Sequence, residues 1–291
     1  MSKNKPALVL VRGGGDLATG VVLRLHRAGV KVVIIELAQP LAVRRAVSFA
    51  EAVYEGQHTV EGITARLIER DQLPAALEAA EIPILVDPDA DILLSQQFLV
   101  TVDGRLTKQT PDPLPVEPAL HIGLGPGFHA GRDCHAAIET RRSHTLGRVY
   151  WSGATQPDSG VPEGDPRRVL RAPSDGTVIG LKQIGDHCEA GETVANIQVD
   201  RHTSTQINSP FAGVLRGIIR NGVQVTKGLK IGDVDPRDDP SACFLVSDKA
   251  LAIGGGVLEA ILSKEEIRKQ LWSPSRPPPN TPRKNRDNYA D

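Results

Sequence analysis

Several residue types that define large classes of protein are scarce in this sequence of 291 residues. Aromatic residues are few, with five phenylalanines, three tyrosines and two tryptophans. The three cysteines, Cys134, Cys188 and Cys243, lie far apart and form no CxxC pair. An odd number of dispersed cysteines argues against a disulfide framework and favours a reducing compartment. We therefore expect a cytoplasmic protein.

The sequence also has no dominant charge and no long hydrophobic run. The 34 lysines and arginines nearly balance the 35 aspartates and glutamates, for a net charge of −1. The molecule as a whole therefore has no field that would attract nucleic acid or an anionic membrane. The apolar run at residues 7–12 ends at a glycine cluster and is too short for a signal peptide or a membrane span. We expect neither a nucleic-acid partner nor a membrane.

A compact βαβ unit is the clearest local pattern. Residues 7–12 form a continuous apolar run, which is typical of a strand buried on both faces. Residues 17–28 repeat apolar side chains at helical spacing, and Gly29 follows as a helix stop. Residues 31–37 are a second β-branched run, so the two strands are predicted to be parallel and joined by the helix.

Alternating helix and strand patterns continue to about residue 165 and predict an α/β, Rossmann-like parallel-sheet domain over residues 1–165. Further elements are predicted as helices at 43–54, 71–80 and 132–141 and as strands at 58–68, 82–86 and 147–152. Residues 98–102 precede Asp103-Gly104, a pair that indicates a hairpin or an edge strand.

Residues 166–240 contain two copies of a unit with a period of 37 residues. Proline and glycine recur in register at five pairs of positions: Pro173/Pro210, Gly176/Gly213, Gly180/Gly217, Gly185/Gly222 and Gly191/Gly228. Two copies are too few for a solenoid, so we predict one small interlocked β-barrel or sandwich. Residues 241–272 are predicted to form a strand and a helix. The tail, 273–291, is rich in proline and charge and is predicted to be disordered.

A glycine motif between the first strand and the first helix is the strongest chemical signal. The sequence there is Gly13-Gly14-Gly15-Asp16-Leu17-Ala18, a G-x-G-x-x-A pattern. Gly13 allows a tight turn, Gly15 allows a phosphate to approach the backbone, and Ala18 allows the helix to pack on the strand. The helix N-terminus would offer free N–H groups to an anion. A turn that serves packing alone is the alternative, and Asp16 places a negative charge beside the site.

Other candidate ligand-binding residues are predicted to lie at the same edge of the sheet. Glu36 ends the second strand, where a carboxylate can bind ribose hydroxyls. Arg44 and Arg45 could bind phosphate or could be solvated surface charges. A second glycine turn, which includes Gly125 and Gly127, could add backbone N–H groups.

The histidines and cysteines give no metal motif. Histidines at 121, 129, 135 and 144 and Cys134 form a loose group whose spacing fits no standard zinc ligand set. His121, His129 and His135 are the acid or base candidates that an NAD-dependent oxidoreductase would need. We predict no metal site and identify no catalytic residue.

The duplicated unit resembles the barrel-sandwich hybrid of biotinyl and lipoyl carriers. The resemblance rests on residues 172–178, 184–197, 208–215 and 222–228. In such carriers a lysine on the hairpin between the halves holds the prosthetic group. That position corresponds to about His202 here, where no lysine occurs, so we expect a docking or positioning domain without biotin or lipoate; plain structural support is the alternative.

The whole chain resembles the YqeB family, which is associated with selenium-dependent molybdenum hydroxylases. The matching segments include VRGGGDLATG (11–20), GLGPGF (123–128), AAIETRRSHTLGRV (136–149), GLKIGDVDPR (228–237) and GGGVLEAIL (254–262). The resemblance implies an accessory or maturation factor whose partner is a client hydroxylase. Its ligand would be a small phosphate-bearing molecule, NAD(P) or a molybdenum-cofactor nucleotide. An NAD-dependent oxidoreductase, a non-catalytic scaffold and a homo-oligomer remain open alternatives.

Overall fold

The computed structural model describes residues 7–79, 81–160 and 164–272. The predicted disordered tail lies outside these residues. The helices are α1 (Asp16–Arg27), α2 (Ala52–Glu55), α3 (Leu73–Glu78), α4 (Asp248–Leu262) and α5 (Glu265–Leu271). Among the described residues, none of these helices combines the length and the apolarity needed to cross a bilayer.

The first part of the chain forms a mixed sheet of nine strands. Its strands in chain order are β1 (Leu8–Arg12), β2 (Lys31–Glu36), β3 (Gln57–Val60), β4 (Ile63–Leu67), β5 (Ile82–Val86), β6 (Val100–Asp103), β7 (Leu120–Leu124), then β9 (Ala136–Ile138) and β10 (Val149–Tyr150). The short β8 (His129–Ala130) and β11 (Gly153–Ala154) pair separately. The strand order is β10-β9-β7-β6-β1-β2-β5-β4-β3, with parallel pairs from β9 to β4 and antiparallel pairs at both edges. The α/β prediction is confirmed at this level.

Strand β1 is at the centre of the sheet, and the glycine turn follows it at the point where the strand order reverses. Helix α1 carries the chain from β1 to β2 on one side, whereas β6 pairs with β1 on the other side. In open α/β sheets this arrangement leaves a crevice at the carboxyl ends of the strands. The prediction of a hairpin or edge strand at 98–102 is wrong, because buried Val100 and Val102 pack in the core between β1 and β7.

Helices α1 and α4 pack against each other on one face of the sheet. A Cβ at Gly254 would lie 2.7 Å from the carbonyl oxygen of Gly20, so only glycine permits this approach. The sequence predicts a strand within 241–272, but α4 begins there at Asp248, with the Ser247 Oγ accepting from Ala250 N. The low helix propensity of the three glycines is overridden by close tertiary packing.

Three other predicted elements differ from the structure. Residues 132–141 contain β9 rather than a helix, and residues 58–68 form the β3–β4 hairpin rather than one strand. Residues 43–54 form two 3-10 turns, Arg45–Val47 and Phe49–Glu51, before α2. The Phe49 N–H donates to Thr19 Oγ1 and the Ala50 N–H to the Gly14 oxygen. These bonds, one to the glycine turn and one to α1, replace the bonds of a continuous helix.

The remaining strands form a separate β domain made of two antiparallel sheets of four strands. They are β12 (Val169–Arg171), β13 (Gly176–Gly180), β14 (His187–Cys188), β15 (Thr193–Gln198), β16 (Ser204–Asn208), β17 (Gly213–Ile218), β18 (Gln224–Val225) and β19 (Lys230–Asp235). The sheet orders are β12-β19-β17-β14 and β16-β15-β13-β18. Each sheet takes strands from both repeat copies, which is the interlocked arrangement that the repeat predicts.

The β domain packs on the segment that covers the glycine turn. A Cβ at Gly217 would lie 2.7 Å from the Val43 carbonyl oxygen, so the two backbones are in direct contact. Arg45 Nε donates to the Ile218 carbonyl, and Arg220 bonds to Glu51. These contacts fix the β domain beside the carboxyl edge of the large sheet.

Candidate functional site

A cleft of about 1000 Å³ lies between the large sheet and the β domain. The N-termini of α1 and α4 both open onto it, through Gly15 and Ser247. Its lining includes eight basic residues: Arg44, Arg141, Arg142, Arg168, Arg216, Lys230, Arg237 and Lys249. Six aspartates also line it: Asp16, Asp158, Asp165, Asp233, Asp235 and Asp248. Basic residues therefore outnumber acidic ones in the lining, and the partial positive charges of the two helix N-termini increase this excess of positive charge.

The three glycines of the turn have different roles. Gly13 has φ +90°, and its N–H donates to the Ile35 oxygen over 2.7 Å. A Cβ at Gly14 would lie 2.8 Å from the Ala50 nitrogen, so Gly14 is held by packing. Gly15 has open space around it and lines the cleft. Of the three, only Gly15 is placed where a ligand could reach it.

The first residues of α1 divide between the cleft and the core. Asp16 and Leu17 line the cleft, and Asp16 Oδ1 accepts from the Leu17 N–H over 2.9 Å. Ala18 is buried, and a Cβ at Gly104 would lie 2.9 Å from its methyl group. Ala18 therefore serves the close helix packing that the motif predicts.

Glu36 is directed into the glycine turn. Its Oε2 accepts from the Gly14 N–H over 2.6 Å, and its Oε1 accepts from the Leu37 N–H over 2.8 Å. Burial raises the pKa of Glu36, while the two backbone bonds act in the opposite direction. Glu36 is absent from the cleft lining, so the structure places it as a support of the turn.

Arg44 and Arg45 point to different places. Arg44 lines the cleft and is only 8 % exposed. Its Nη2 donates to the carbonyls of Ala242 and Leu245, and its Nη1 lies 3.8 Å from Asp16 Oδ2. Arg45 instead bonds to the β domain and to Glu51. Arg44 is therefore the cation beside the α1 N-terminus, whereas Arg45 joins the two units.

The β domain contributes a charged wall that sequence reasoning missed. Asp233 is 1 % exposed, and its carboxylate pairs with Arg168, Arg216 and Lys230. Asp235 follows two residues later on the same strand. Hydrogen bonds from Arg237 lower the pKa of Asp235 to about 2, although burial opposes this shift. Two aspartates at alternate positions of a core strand are the signal that could have identified this wall.

The opposite wall is formed by the turn after β9 and the start of α4. Arg142 makes a bidentate pair with Asp248, with distances of 2.5 and 2.7 Å. This pair lowers the pKa of Asp248 to about 2, although burial opposes the shift. Among the described residues, the side chains of Arg141 and Lys249 make no hydrogen bond or close ion pair, although Lys249 attracts Asp158 electrostatically. These two cations are available to a ligand.

The second glycine turn reaches the cleft through Pro126. Gly125 has φ +87°, and its oxygen accepts from Thr155 Oγ1. A Cβ at Gly127 would lie 2.5 Å from the Thr107 oxygen, so Gly127 is held by packing. Neither glycine lines the cleft.

The histidine and cysteine candidates lie away from the cleft. No histidine or cysteine is among its described lining residues. Burial lowers the pKa of His121 to about 4 and raises the pKa of Cys134 to about 12, which leaves both neutral at pH 7. The part of the chain that the structure describes contains no cluster of three metal-ligating side chains.

Comparisons define the class of the β domain. Residues 168–234 match a family model described as "Biotin-requiring enzyme". Biotin and lipoate are attached to a lysine amine, but residues 199–203, which join β15 to β16, are Val-Asp-Arg-His-Thr. There Asp200 Oδ1 accepts from the N–H groups of His202 and Thr203. This hairpin does not fit a carrier, and the absence of biotin or lipoate stays a prediction. The protein is thus an α/β protein with a biotinyl/lipoyl-type β domain.

Over 260 residues the chain is 44 % identical to the uncharacterized protein YqeB of Escherichia coli K12. The alignment covers 88 % of this chain and 47 % of the relative, so the chain spans about half the relative's length. This confirms the resemblance to the YqeB family. The relative is uncharacterized and therefore assigns no activity.

Two solved structures have weaker likenesses. One is an aspartoacylase family protein from Mesorhizobium loti, with 9 % identity, coverage of 79 % of this chain and 85 % of that chain, and a TM-score of 0.26. The other is a succinylglutamate desuccinylase/aspartoacylase from Rhodobacter sphaeroides, with 15 % identity, the same coverage and a TM-score of 0.26. These TM-scores are too low to support an argument about fold or function.

Proposed function

We propose that this protein binds a phosphate-bearing ligand in the cleft and acts as an accessory factor in the maturation of selenium-dependent molybdenum hydroxylases. The ligand is a nucleotide or a molybdenum-cofactor nucleotide. The observation that carries the binding proposal is the position of Arg44. Its buried guanidinium lines the cleft beside the N-terminus of α1, and its Nε has no hydrogen-bond partner among the described residues.

The physical basis is the combination of backbone donors and positive charge, although the Leu17 N–H already donates to Asp16 Oδ1. The N–H groups at the start of α1 and the guanidinium of Arg44 favour an oxyanion over a neutral ligand. The order of the sheet, with β1 at its centre and the glycine turn before α1, supports a Rossmann-like interpretation of this unit. Exposed Leu41 and Leu245 line the same cleft and offer apolar contact to a ring system.

The accessory role rests on the resemblance to the YqeB family. The client hydroxylase and the cytoplasmic setting are part of this proposal. No histidine or cysteine lines the described part of the cleft, so no observation favours hydride transfer with a histidine as acid or base.

Calorimetric titration with NAD, NADP, ATP and a molybdopterin nucleotide tests the ligand. We expect at least one to bind the wild-type protein and the variant Gly15→Trp to lose that binding. Gly15 has φ −64°, nothing lies within 4 Å of an added Cβ, and Gly15 lines the cleft, so we expect the indole to occupy the cleft. Leu181→Trp is the matched control, since Leu181 is exposed on the β domain away from the cleft.

Absence of binding by all four compounds contradicts the ligand proposal, and so does unchanged binding by Gly15→Trp. Copurification with the client hydroxylase tests the accessory role separately. We expect Gly15→Trp to weaken ligand-dependent maturation of the client. A client of normal activity in cells that lack this protein would contradict the role.

A further inference from the structure

Two arginines from different parts of the fold line the same cleft. Arg44 belongs to the segment that covers the glycine turn, and Arg216 lies on β17 of the β domain. Arg216 Nη2 is 3.2 Å from Asp233 Oδ1, and its Nη1 is 3.6 Å from Asp235 Oδ2. Both arginines therefore use their terminal nitrogens in contacts with the protein.

The Nε atoms of both arginines are buried and have no hydrogen-bond partner among the described residues. Buried donors in folded proteins nearly always have a partner. These two unpaired donors, one from each unit, belong to residues that line the same cleft, which is where an acceptor from outside the chain would enter. A guanidinium can bind an oxyanion through Nε and one Nη at once, which a lysine cannot do.

The two guanidinium groups also interact electrostatically. Burial lowers the pKa of Arg44, and the charge of Arg216 lowers it further, whereas Asp16 and Asp233 oppose the shift. An anion placed between two like charges relieves their repulsion. Asp16 lies beside Arg44 and Asp233 beside Arg216, so each aspartate partly neutralises the charge of one arginine. Neither carboxylate accepts a hydrogen bond from an Nε atom.

We infer that Arg216 is a phosphate-binding residue of the β domain and that one anionic group of the ligand is held between Arg44 and Arg216. This inference rests on the proposed function and extends it, because it makes the β domain half of the ligand site. The ligand class is a phosphate or diphosphate ester. Its binding would link the two units of the chain at the junction where Gly217 meets Val43.

The test compares Arg216→Lys with the wild-type protein in calorimetric titrations with inorganic pyrophosphate, ATP and NAD. Lysine keeps the positive charge opposite Asp233 and Asp235 but removes Nε and the planar guanidinium. We expect a dissociation constant at least tenfold higher, with an unchanged melting temperature. Arg171→Lys is the control, since Arg171 is exposed on β12 and outside the cleft lining.

A double-mutant cycle with Arg44→Lys tests whether the two arginines share one anion. If the two arginines share one anion, the fold-loss in affinity of the double variant should be smaller than the product of the fold-losses of the two single variants. Fully additive losses would overturn the shared anion. Wild-type affinity in Arg216→Lys, together with loss of binding in Gly15→Trp, would overturn the inference and leave the proposed function standing. No binding of any probe by the wild-type protein would overturn both.

Discussion

The carboxylate of Glu36 accepts a hydrogen bond from the backbone N–H of Gly14, with 2.6 Å between Oε2 and the nitrogen. Its other oxygen accepts from the Leu37 N–H. An acidic residue at the end of β2 is thus engaged in holding the glycine turn against the sheet. Glu36 lies at the end of β2, as the motif predicts. Its carboxylate points to the N–H groups of Gly14 and Leu37 and not into the cleft.

Replacement of Glu36 by alanine is expected to destabilise the protein by about 1–3 kcal/mol, because a partly buried backbone donor loses a charged acceptor. Urea unfolding measures the effect. Glu78→Ala, on the exposed face of α3, is the control and should change stability little. Unchanged stability combined with lost nucleotide binding would instead place Glu36 on the ligand.

In the glycine turn, alanine at position 14 should cost more stability than alanine at position 15. Gly14→Ala is expected to cost about 1–3 kcal/mol, because the new methyl group would lie 2.8 Å from the Ala50 nitrogen. Gly15→Ala should cost less than about 1 kcal/mol, since nothing lies within 4 Å of its Cβ. Thermal and urea unfolding of the two variants check the order. Equal losses would contradict the packing of Gly14 against Ala50.

Replacement of two adjacent glycines of α4 by alanine should change the stability of the protein in opposite directions. Gly254→Ala is expected to destabilise by about 1–3 kcal/mol, because its Cβ would lie 2.7 Å from the Gly20 oxygen. Gly255 has open space, so Gly255→Ala should stabilise by up to about 1 kcal/mol through helix propensity. Chemical unfolding of both variants distinguishes them. A gain in stability for Gly254→Ala would show that α1 and α4 are not in close contact.

Asp235 predicts a pH dependence of stability. Its hydrogen bonds with Arg237 hold the pKa at about 2 in the folded protein, below the ordinary value of 3.8. A depressed carboxyl pKa contributes stability above about pH 4, and this contribution is lost as the pH falls to about 2. The loss is about 2 kcal/mol.

Free energies of unfolding between pH 2 and pH 6 check this expectation. Asp235→Asn should be less stable than the wild-type protein near pH 6, and the difference should shrink towards pH 2. Asp71→Asn, at an exposed position, should follow the wild-type curve. Parallel curves for the wild-type protein and Asp235→Asn would contradict the charge pairing of Asp235.

Sequence patterns predicted the elements that depend on local interactions. The apolar run of β1, the helical spacing of α1 and the β-branched run of β2 are all found in the structure. The period of 37 residues predicted the duplicated β domain, and the pairs Gly185/Gly222 and Gly191/Gly228 adopt matching positive φ angles in equivalent turns. These features are determined within short stretches of chain.

Tertiary structure decided the features that depend on contacts between distant residues. It made residues 248–253, which the sequence predicts as part of a strand, the start of α4, which packs closely on α1 where Gly254 meets Gly20. It separated Arg44 from Arg45 because their side chains leave the chain in different directions, one to the cleft and one to the β domain. Arg44 and Arg216 line the same cleft because two units pack together, and no local sequence pattern predicts their relative position. The sequence alone therefore predicted the α/β unit and the duplicated β unit, and the cleft between them was decided by how their surfaces pack together.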